Sequence, residues 1–408
     1  MDWKSDSRRC LVFNQKNNTL IDRLPKIAQV VCTYPPYRGG MGNVAFEYTE
    51  RLRERGYNVH VFTTKGHVAV EDPDYVHRVP SIIHIGNAGV MPSLFRRLSG
   101  FDLVHLHYPF FGGAEPTLVR KAVSQNQGLV MTYHMDATGN GLRGTLFNAH
   151  RRVLLPWLVN RVDRILASSQ NYIDGSAIAE IPNAMDRVEI HPFGIDLHRF
   201  RPGNADFFKK RLDIRTDVPV MLFVGGLDSA HYFKGVPVLL EALKLITTQP
   251  WEMLIVGDGN LRAGFETTVR KSILHGRIHF LGNVAERDIP FLYRCSDFHI
   301  FPSVKRAEAF GLVALEAAAS GIPTVASNLC GVSTVVLDGS TGLLVPPEDV
   351  TELANAIKLL LSQPELRKRL GQAARLNAEL NFAWEPAIAK LEQTYRSVLE
   401  QKSTREYI

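Results

Sequence analysis

The chain carries two successive series of short apolar runs, and helical patterns separate one run from the next. This feature restricts the fold more than any other. Antiparallel strands can be joined by tight hairpins, whereas parallel strands need a crossover of a dozen or more residues, usually a helix. The first series is Ile27–Thr33, Asn58–Thr63, Leu103–His107, Leu129–Tyr133, Ile165–Ser168 and Val188–Pro192. A helix is predicted from about Asn43 to Arg55, where Gly56 stops it. The second series is Val220–Val224, Glu252–Val256, Ile278–Leu281, Phe298–Phe301, Thr324–Ala326 and Gly342–Val345. Between them, residues 194–219 (GIDLHRFRPGNADFFKKRLDIRTDVP) lose the apolar pattern and hold two prolines, which predicts a linker. The halves share size and grammar, so the expected fold is α/β, with two doubly wound parallel-sheet domains facing each other. One long amphipathic helix is predicted from Trp384 to about Gln401. The expected divisions are a polar extension at 1–24, domains at 25–205 and 206–382, and a terminal helix at 383–408 that returns to the first domain.

Composition narrows the function classes. With 408 residues, 45% hydrophobic and 22% charged, the chain has material for two or three globular domains. Disordered, collagen-like and small stapled architectures are excluded. Lys plus Arg is 47 against 41 Asp plus Glu, a net charge of +6 that admits acidic partners without demanding them. Cys10, Cys32, Cys295 and Cys330 form no C-x-x-C pair and read as thiols in a reducing compartment. The first ten residues, MDWKSDSRRC, are polar where a secretory leader would be apolar, and no long apolar run is present. The expectation is a cytoplasmic protein that at most lies on a membrane surface.

Chemistry-bearing residues cluster where strands end. In open α/β sheets, ligands gather at the carboxyl edge. Gly39-Gly40-Met41-Gly42-Asn43 joins the first strand to the first helix, where backbone amides can approach an anion. It is neither a dinucleotide fingerprint nor a P-loop, and a plain tight turn explains it equally. His134 closes the run Leu129–Tyr133 and is either a substrate contact or a structural imidazole. Gly225 and Gly226 end the first strand of the second domain, and Lys234 follows where it could meet a phosphate or simply face solvent. Glu308 and Glu316 stand eight residues apart around Phe310-Gly311-Leu312-Val313. Gly311 opens a helix whose first amides can face an anion. Glu316, on an apolar face of that helix, needs hydroxyl partners, because an unpaired buried carboxylate is costly. Sugar hydroxyls suit it.

At this point the sequence resembles the family 4 glycosyltransferases of the GT-B fold. The resemblance spans residues 26–400 and rests on the Gly-Gly loop, Val104-His105-Leu106-His107, Thr132-Tyr133-His134 and His191-Pro192-Phe193-Gly194-Ile195-Asp196 with Phe200. It continues through Phe223-Val224-Gly225, Lys234-Gly235, Val256-Gly257-Asp258-Gly259, Phe280-Leu281-Gly282, the E-x7-E segment and Gly342-Leu343-Leu344-Val345. It implies two facing Rossmann-like domains, the first for acceptor and the second for nucleotide sugar. It implies that Glu308 binds donor-sugar hydroxyls and that the amides of Phe310 to Val313 hold sugar and diphosphate. Glu316 would take the ribose hydroxyls. Lys234 would neutralise the leaving diphosphate with the Gly40–Gly42 backbone, Gly282-Asn283-Val284 would meet the base, and His134 would lie beside the transferred sugar. One departure stands out. Many members carry an Arg after the strand-end glycine, sharing the diphosphate with the Lys, where this chain has Gly226. Arg262, Arg306, Lys305 or His231 could supply that charge.

The resemblance implies transfer with retention of configuration. A covalent route needs a carboxylate beneath the anomeric carbon, and with Glu308 expected at the sugar's hydroxyl edge no residue stands out for it, so front-face attack is expected, with the departing phosphate oxygen taking the acceptor proton. No cofactor is expected, and no metal. Asp72-Pro73-Asp74 matches D-x-D nominally but lies in a polar turn away from the other motifs. The expected donor is UDP-glucose, with GDP-mannose as the alternative. The expected acceptor is a lipid-linked sugar or polysaccharide of cell-surface biosynthesis. Leu94–Leu98 (LFRRL) and His150–Arg161 mix Arg with Leu and Trp. They suit an anionic membrane surface or a packed core with a basic edge. The rivals are a nucleotide-sugar epimerase of related fold and a polyanion-binding protein. Nucleic-acid binding lacks any supporting motif, and a dehydrogenase lacks its fingerprint.

Overall fold

The computed structural model describes residues 24–36, 39–65, 71–85, 88–137 and 141–405. The N-terminal extension expected at 1–24 lies outside the described residues apart from Leu24, as do Cys10, Tyr37 and Arg38. The first series of apolar runs forms strands β1 (Lys26–Val30), β2 (Asn58–Thr64) and β3 (Val76–Val79). A short antiparallel pair follows, β4 (His84–Ile85) with β5 (Ala88–Gly89), then β6 (Leu103–Tyr108), β7 (Gly128–Tyr133), β8 (Arg164–Ala167) and β9 (Val188–Ile190). Seven of these build one parallel sheet in the order β3-β2-β1-β6-β7-β8-β9. The second series gives β10 (Val220–Val224), β11 (Glu252–Val256), β12 (Ile278–Gly282), β13 (Phe298–Phe301), β14 (Thr324–Ser327) and β15 (Gly342–Val345). They form a second parallel sheet, β12-β11-β10-β13-β14-β15. Strand order reverses direction between β1 and β6 in one sheet and between β10 and β13 in the other. Loops leaving the two neighbouring strands diverge there and leave a crevice.

The edge strand β3 was not anticipated. Only its terminal residues, Val76 and Val79, are buried, so it lacks the continuous apolar signature of a central strand. The stretch expected to be a linker, 194–219, is also packed rather than free. Ile195, Phe200 and Phe208 are buried in an apolar cluster holding residues of both domains, and Asp206–Arg211 is helical. Their spacing fits neither a strand nor a long helix, so each acts as a separate anchor. The Ile195 amide donates to Phe382 O at 2.8 Å, where the chain crosses back.

The last helix, Trp384–Arg405, lies against the first sheet. Lys402 Nζ reaches Asp163 Oδ1 at 2.5 Å, Thr394 Oγ1 donates to Glu189 at 2.7 Å, and Arg55 pairs with Glu385 and Glu392. Trp384 is the hinge of this return. It is 5% exposed, meets the Tyr48 ring edge-on at 5.8 Å, and carries the Arg51 guanidinium 5.5 Å above its face. Trp384→Ala is therefore expected to destabilise the protein by about 3–5 kcal/mol. Denaturant unfolding checks this, and an unchanged midpoint would show that the helix is held without its aromatic anchor.

Candidate active site

The candidate residues of the second domain hang from the carboxyl edge of the second sheet. After β10, Gly225 and Gly226 lead into a turn, Ser229–Lys234, which Asp228 caps by accepting the amides of Ala230 and His231. Gly235 follows with φ +75°, and a Cβ there would lie 1.9 Å from Pro302 O. Only glycine allows this approach, and it lays Lys234 across the end of β13. Lys234 Nζ lies 2.5 Å from Glu308 Oε2, with Ser303 Oγ 3.3 Å from the same oxygen and the Phe301 ring 5.2 Å from Nζ. Both partners are mostly buried, at 14% and 11% side-chain exposure. Two residues 74 positions apart in sequence thus form one ion pair.

Just beyond Glu308 the chain turns at Gly311, φ +88°, and enters the helix Leu312–Ala319. The amides of Gly311, Leu312 and Val313 belong to the first turn, where a helix supplies no acceptors of its own. Phe310 does not use its ring for the site. The ring is buried against Phe193 at 5.1 Å and Phe382 at 5.9 Å, which fixes the backbone on either side. One turn along, Glu316 Oε2 accepts from the Tyr293 hydroxyl at 2.8 Å, and that hydroxyl also lies 3.1 Å from Val313 O. Burial pushes the Glu316 carboxyl up to about 7, against the lowering effects of Tyr293 and Arg199. Sequence reasoning asked for hydroxyl partners at Glu316 and missed that Tyr293 supplies one. Asn283 is exposed at the end of β12 and Val284 is half-buried, so that segment stands at the same edge.

The first domain faces this helix. Gly40, Met41 and Gly42 open the helix Gly40–Glu54. A Cβ at Gly40 would touch Leu312 Cδ1 at 3.4 Å, so the glycine loop meets the helix start across the domain boundary. Met41 Sδ lies 3.5 Å from Cys32 Sγ, and Gly42 packs on Thr33 O, so these two serve packing as well as the turn.

His134 ends β7 and heads a buried polar chain. Its Nε2 is 2.9 Å from His107 Nδ1, His107 Nε2 is 2.8 Å from Gln29 Oε1, and Gln29 Nε2 donates to the Tyr395 oxygen at 3.2 Å. Tyr395 in turn lies 2.6 Å from His105 Nδ1, and His105 Nε2 is 2.7 Å from Thr132 Oγ1. With the Gln29 amide nitrogen toward Tyr395, proton order follows along the chain. His107 donates from Nε2 to Gln29, so its Nδ1 accepts and His134 donates from Nε2. His134 Nδ1 is left as an acceptor. Burial pushes His134 down to about 3, and holds His105 and His107 well below the usual histidine value, so all three are neutral at pH 7. The His134 ring stacks on Phe193 at 5.2 Å, and Phe193 contacts Phe310, so two ring contacts link His134 to the donor-side loop.

The other candidate groups are occupied elsewhere. Arg262 pairs with Glu266 and Asp258. Lys305 pairs with Glu348. Arg306 crosses to the first domain, donating to Tyr172 O at 3.1 Å and lying 5.4 Å over its ring, while its other nitrogen reaches Cys330 Sγ. Asp72 of the D-x-D match is held by Arg78 at 2.7 and 2.9 Å. Cys32 and Cys295 are buried thiols that burial pushes up to about 11 and about 12.

Comparison with known proteins identifies the family and the fold. A family model described as Glycosyltransferase Family 4 matches residues 38–199, and one described as Glycosyl transferases group 1 matches residues 204–377. The D-rhamnosyltransferase WbpZ of Pseudomonas aeruginosa is 28% identical, over 91% of this chain and 95% of its own. The O-antigen chain mannosyltransferase C of Escherichia coli is 27% identical, over 91% and 97%. Among solved structures, the sucrose-phosphate synthase of Thermosynechococcus elongatus superposes with a TM-score of 0.77 at 24% identity, over 93% of this chain and all of that one. Two parallel-sheet domains and two family models that together cover most of the sequence converge: the chain belongs to the family 4 glycosyltransferases and is a transferase of GT-B architecture.

Proposed function

We propose that this glycosyltransferase moves a hexose from a nucleoside diphosphate donor to a lipid-linked or polysaccharide acceptor, retaining anomeric configuration and using no metal. The Lys234–Glu308 contact beside the first-turn amides of Leu312–Ala319 carries this reading. A cation and oriented amides suit a diphosphate leaving group, and a carboxylate beside them suits sugar hydroxyls. Glu316 would accept from the ribose, and His134 Nδ1 from a hydroxyl of the transferred sugar. The departing phosphate oxygen, held by Lys234, would take the acceptor proton as the new bond forms on the same face. The sequence reading favoured UDP-glucose. Two of the sequence relatives are named for transferring D-rhamnose and mannose, and others are D-inositol 3-phosphate glycosyltransferases. GDP-mannose is therefore tested beside UDP-glucose. Donor hydrolysis and transfer measured across UDP-, GDP- and ADP-hexoses should single out one donor. An inverted product would refute retention, and turnover of no nucleotide sugar would refute the proposal.

The site residues separate kinetically. Lys234→Ala removes stabilisation of the leaving group and is expected to lower kcat by about a hundredfold, whereas Glu316→Ala mainly raises donor KM. Glu316 also sets a pH dependence. Its ionised form accepts the ribose hydroxyls, and its carboxyl sits near 7 in the free protein. Donor KM should therefore fall as pH rises from about 6 to about 8, and Glu316→Gln should flatten that profile. Unchanged kinetics in these variants would remove the two residues from the site.

The acceptor side supports a membrane surface. The helix Gly141–Val159 buries Leu155, Leu158 and Val159 and exposes Arg152, Val153 at 61% and Trp157 at 59%, with Arg161 exposed just beyond. One face of this segment is core and the other is a basic apolar surface. Ile82 and Ile83 are exposed on the neighbouring β4–β5 hairpin, which Gly89 N ties to Phe111 O. No described helix is long and apolar enough to cross a membrane. Co-sedimentation with phosphatidylglycerol vesicles should exceed that with phosphatidylcholine, and Arg152→Ala or Arg161→Ala should each weaken it about fivefold. Equal binding to both vesicles would count against a membrane-bound acceptor.

A further inference from the structure

Lys234 is already paired with Glu308, so its charge alone meets a leaving group that carries more than one negative charge. The resemblance places an Arg where this chain has Gly226, and four groups could replace its charge. Arg262, Lys305 and Arg306 are engaged with Glu266, Glu348 and Tyr172 respectively. His231 pairs with Asp228 through one ring nitrogen and stays over Gly226. A Cβ at Gly226 would lie 2.7 Å from His231 Nδ1 and 2.9 Å from its Cγ. The imidazole fills the space into which a side chain at 226 would grow. Gly226 has no left-handed φ, so it is the imidazole, not the backbone, that keeps this position without a side chain. A Cβ at the neighbouring Gly225 would meet the Phe223 ring at 3.1 Å and Lys234 Cδ at 3.6 Å, so the lysine stem runs past the same strand end.

The imidazole is also fixed in place. His231 Nδ1 is 2.7 Å from Asp228 Oδ2, and Asp228 is itself fixed by the Ala230 and His231 amides. Burial would raise the Asp228 carboxyl, but the hydrogen bond and charge of His231 and those amides outweigh it and hold it low. Asp228 holds the ring through Nδ1, which leaves Nε2 for another partner. Nε2 has no hydrogen bond to any described residue, and the side chain is 39% exposed.

We infer that His231, held by Asp228 over Gly226, is the second side chain that binds the donor's diphosphate beside Lys234. The inference rests on the nucleotide-sugar reading above. Calorimetric titration of the full chain with UDP, GDP, UMP and GMP tests it. The wild type should bind one of the two diphosphates. His231→Ala should weaken that diphosphate about tenfold or more while leaving the matching monophosphate nearly unchanged. His231→Asn, which keeps a polar partner for Asp228, should reproduce the selective loss. His231→Ala combined with Gly226→Arg should restore diphosphate binding, because the vacated space admits the new side chain. Equal diphosphate binding by wild type and His231→Ala overturns the inference alone, as does an equal loss for both nucleotides or a failure of the double variant to recover. A wild type that binds neither diphosphate overturns the donor reading and this inference together.

Discussion

Every strand of a parallel sheet ends at the same edge, and this constraint decides where chemistry can occur in the protein. The glycine loop leaves β1, His134 leaves β7, Lys234 and His231 follow β10, and Glu308 follows β13. These residues are distant in sequence and share an edge because no strand of either large sheet runs the other way. The edges of the two sheets meet where Gly40 approaches Leu312, and the Phe193–Phe310 contact closes the same seam from below. Amides that one domain cannot satisfy at the start of its helix therefore face a glycine loop of the other.

The seam is held by a double crossing of the chain and by the helix that follows it. Gln29, His105, His107 and Thr132 are strand residues that are fully or almost fully buried on the first sheet. A buried polar group left without a partner costs about 1–3 kcal/mol, so these four need something that covers and pairs them at once. Tyr395, from the far end of the chain, bonds Gln29 and His105 directly. The terminal helix is thus part of the first domain's interior, and the protonation of His134 depends on a residue 261 positions away only through this chain of contacts. A segment that follows the second domain in sequence completes the first.

Much of this was legible in the sequence, for physical reasons that differ by element. Central parallel strands are buried on both faces and read as continuous apolar runs, which is why all runs of the second series reappear as strands with little change. The edge strand Val76–Val79 lacks that signature, and the anchors Ile195, Phe200 and Phe208 obey no period because each plugs a different gap in the seam. At the site, Lys234, Glu308, Gly311 and Glu316 could be named because strand-end position and local spacing mark them. Their partners could not. Tyr293 reaches Glu316 from 23 residues away, and the hold of Arg306 on Tyr172 spans 134, so no local pattern records either. The fate of each candidate cation is a tertiary fact, and only the fold separates His231 from Arg262, Lys305 and Arg306.

The Lys234–Glu308 pair also bears on how a donor could be told from its product. A mostly buried ion pair is costly to break if one partner is left alone, and cheap if both find replacements. Without donor, the two side chains satisfy each other at 2.5 Å. On the proposed arrangement an intact nucleotide sugar replaces both partners together, a phosphate for Lys234 and a sugar hydroxyl for Glu308. A nucleoside diphosphate without its sugar replaces only the first, and must compete with Glu308 for the lysine. Transfer of the sugar then restores that competitor at the moment the product should leave. A second binding side chain outside the pair would keep a constant hold on the diphosphate. The pair would supply the part of the hold that depends on the sugar being present.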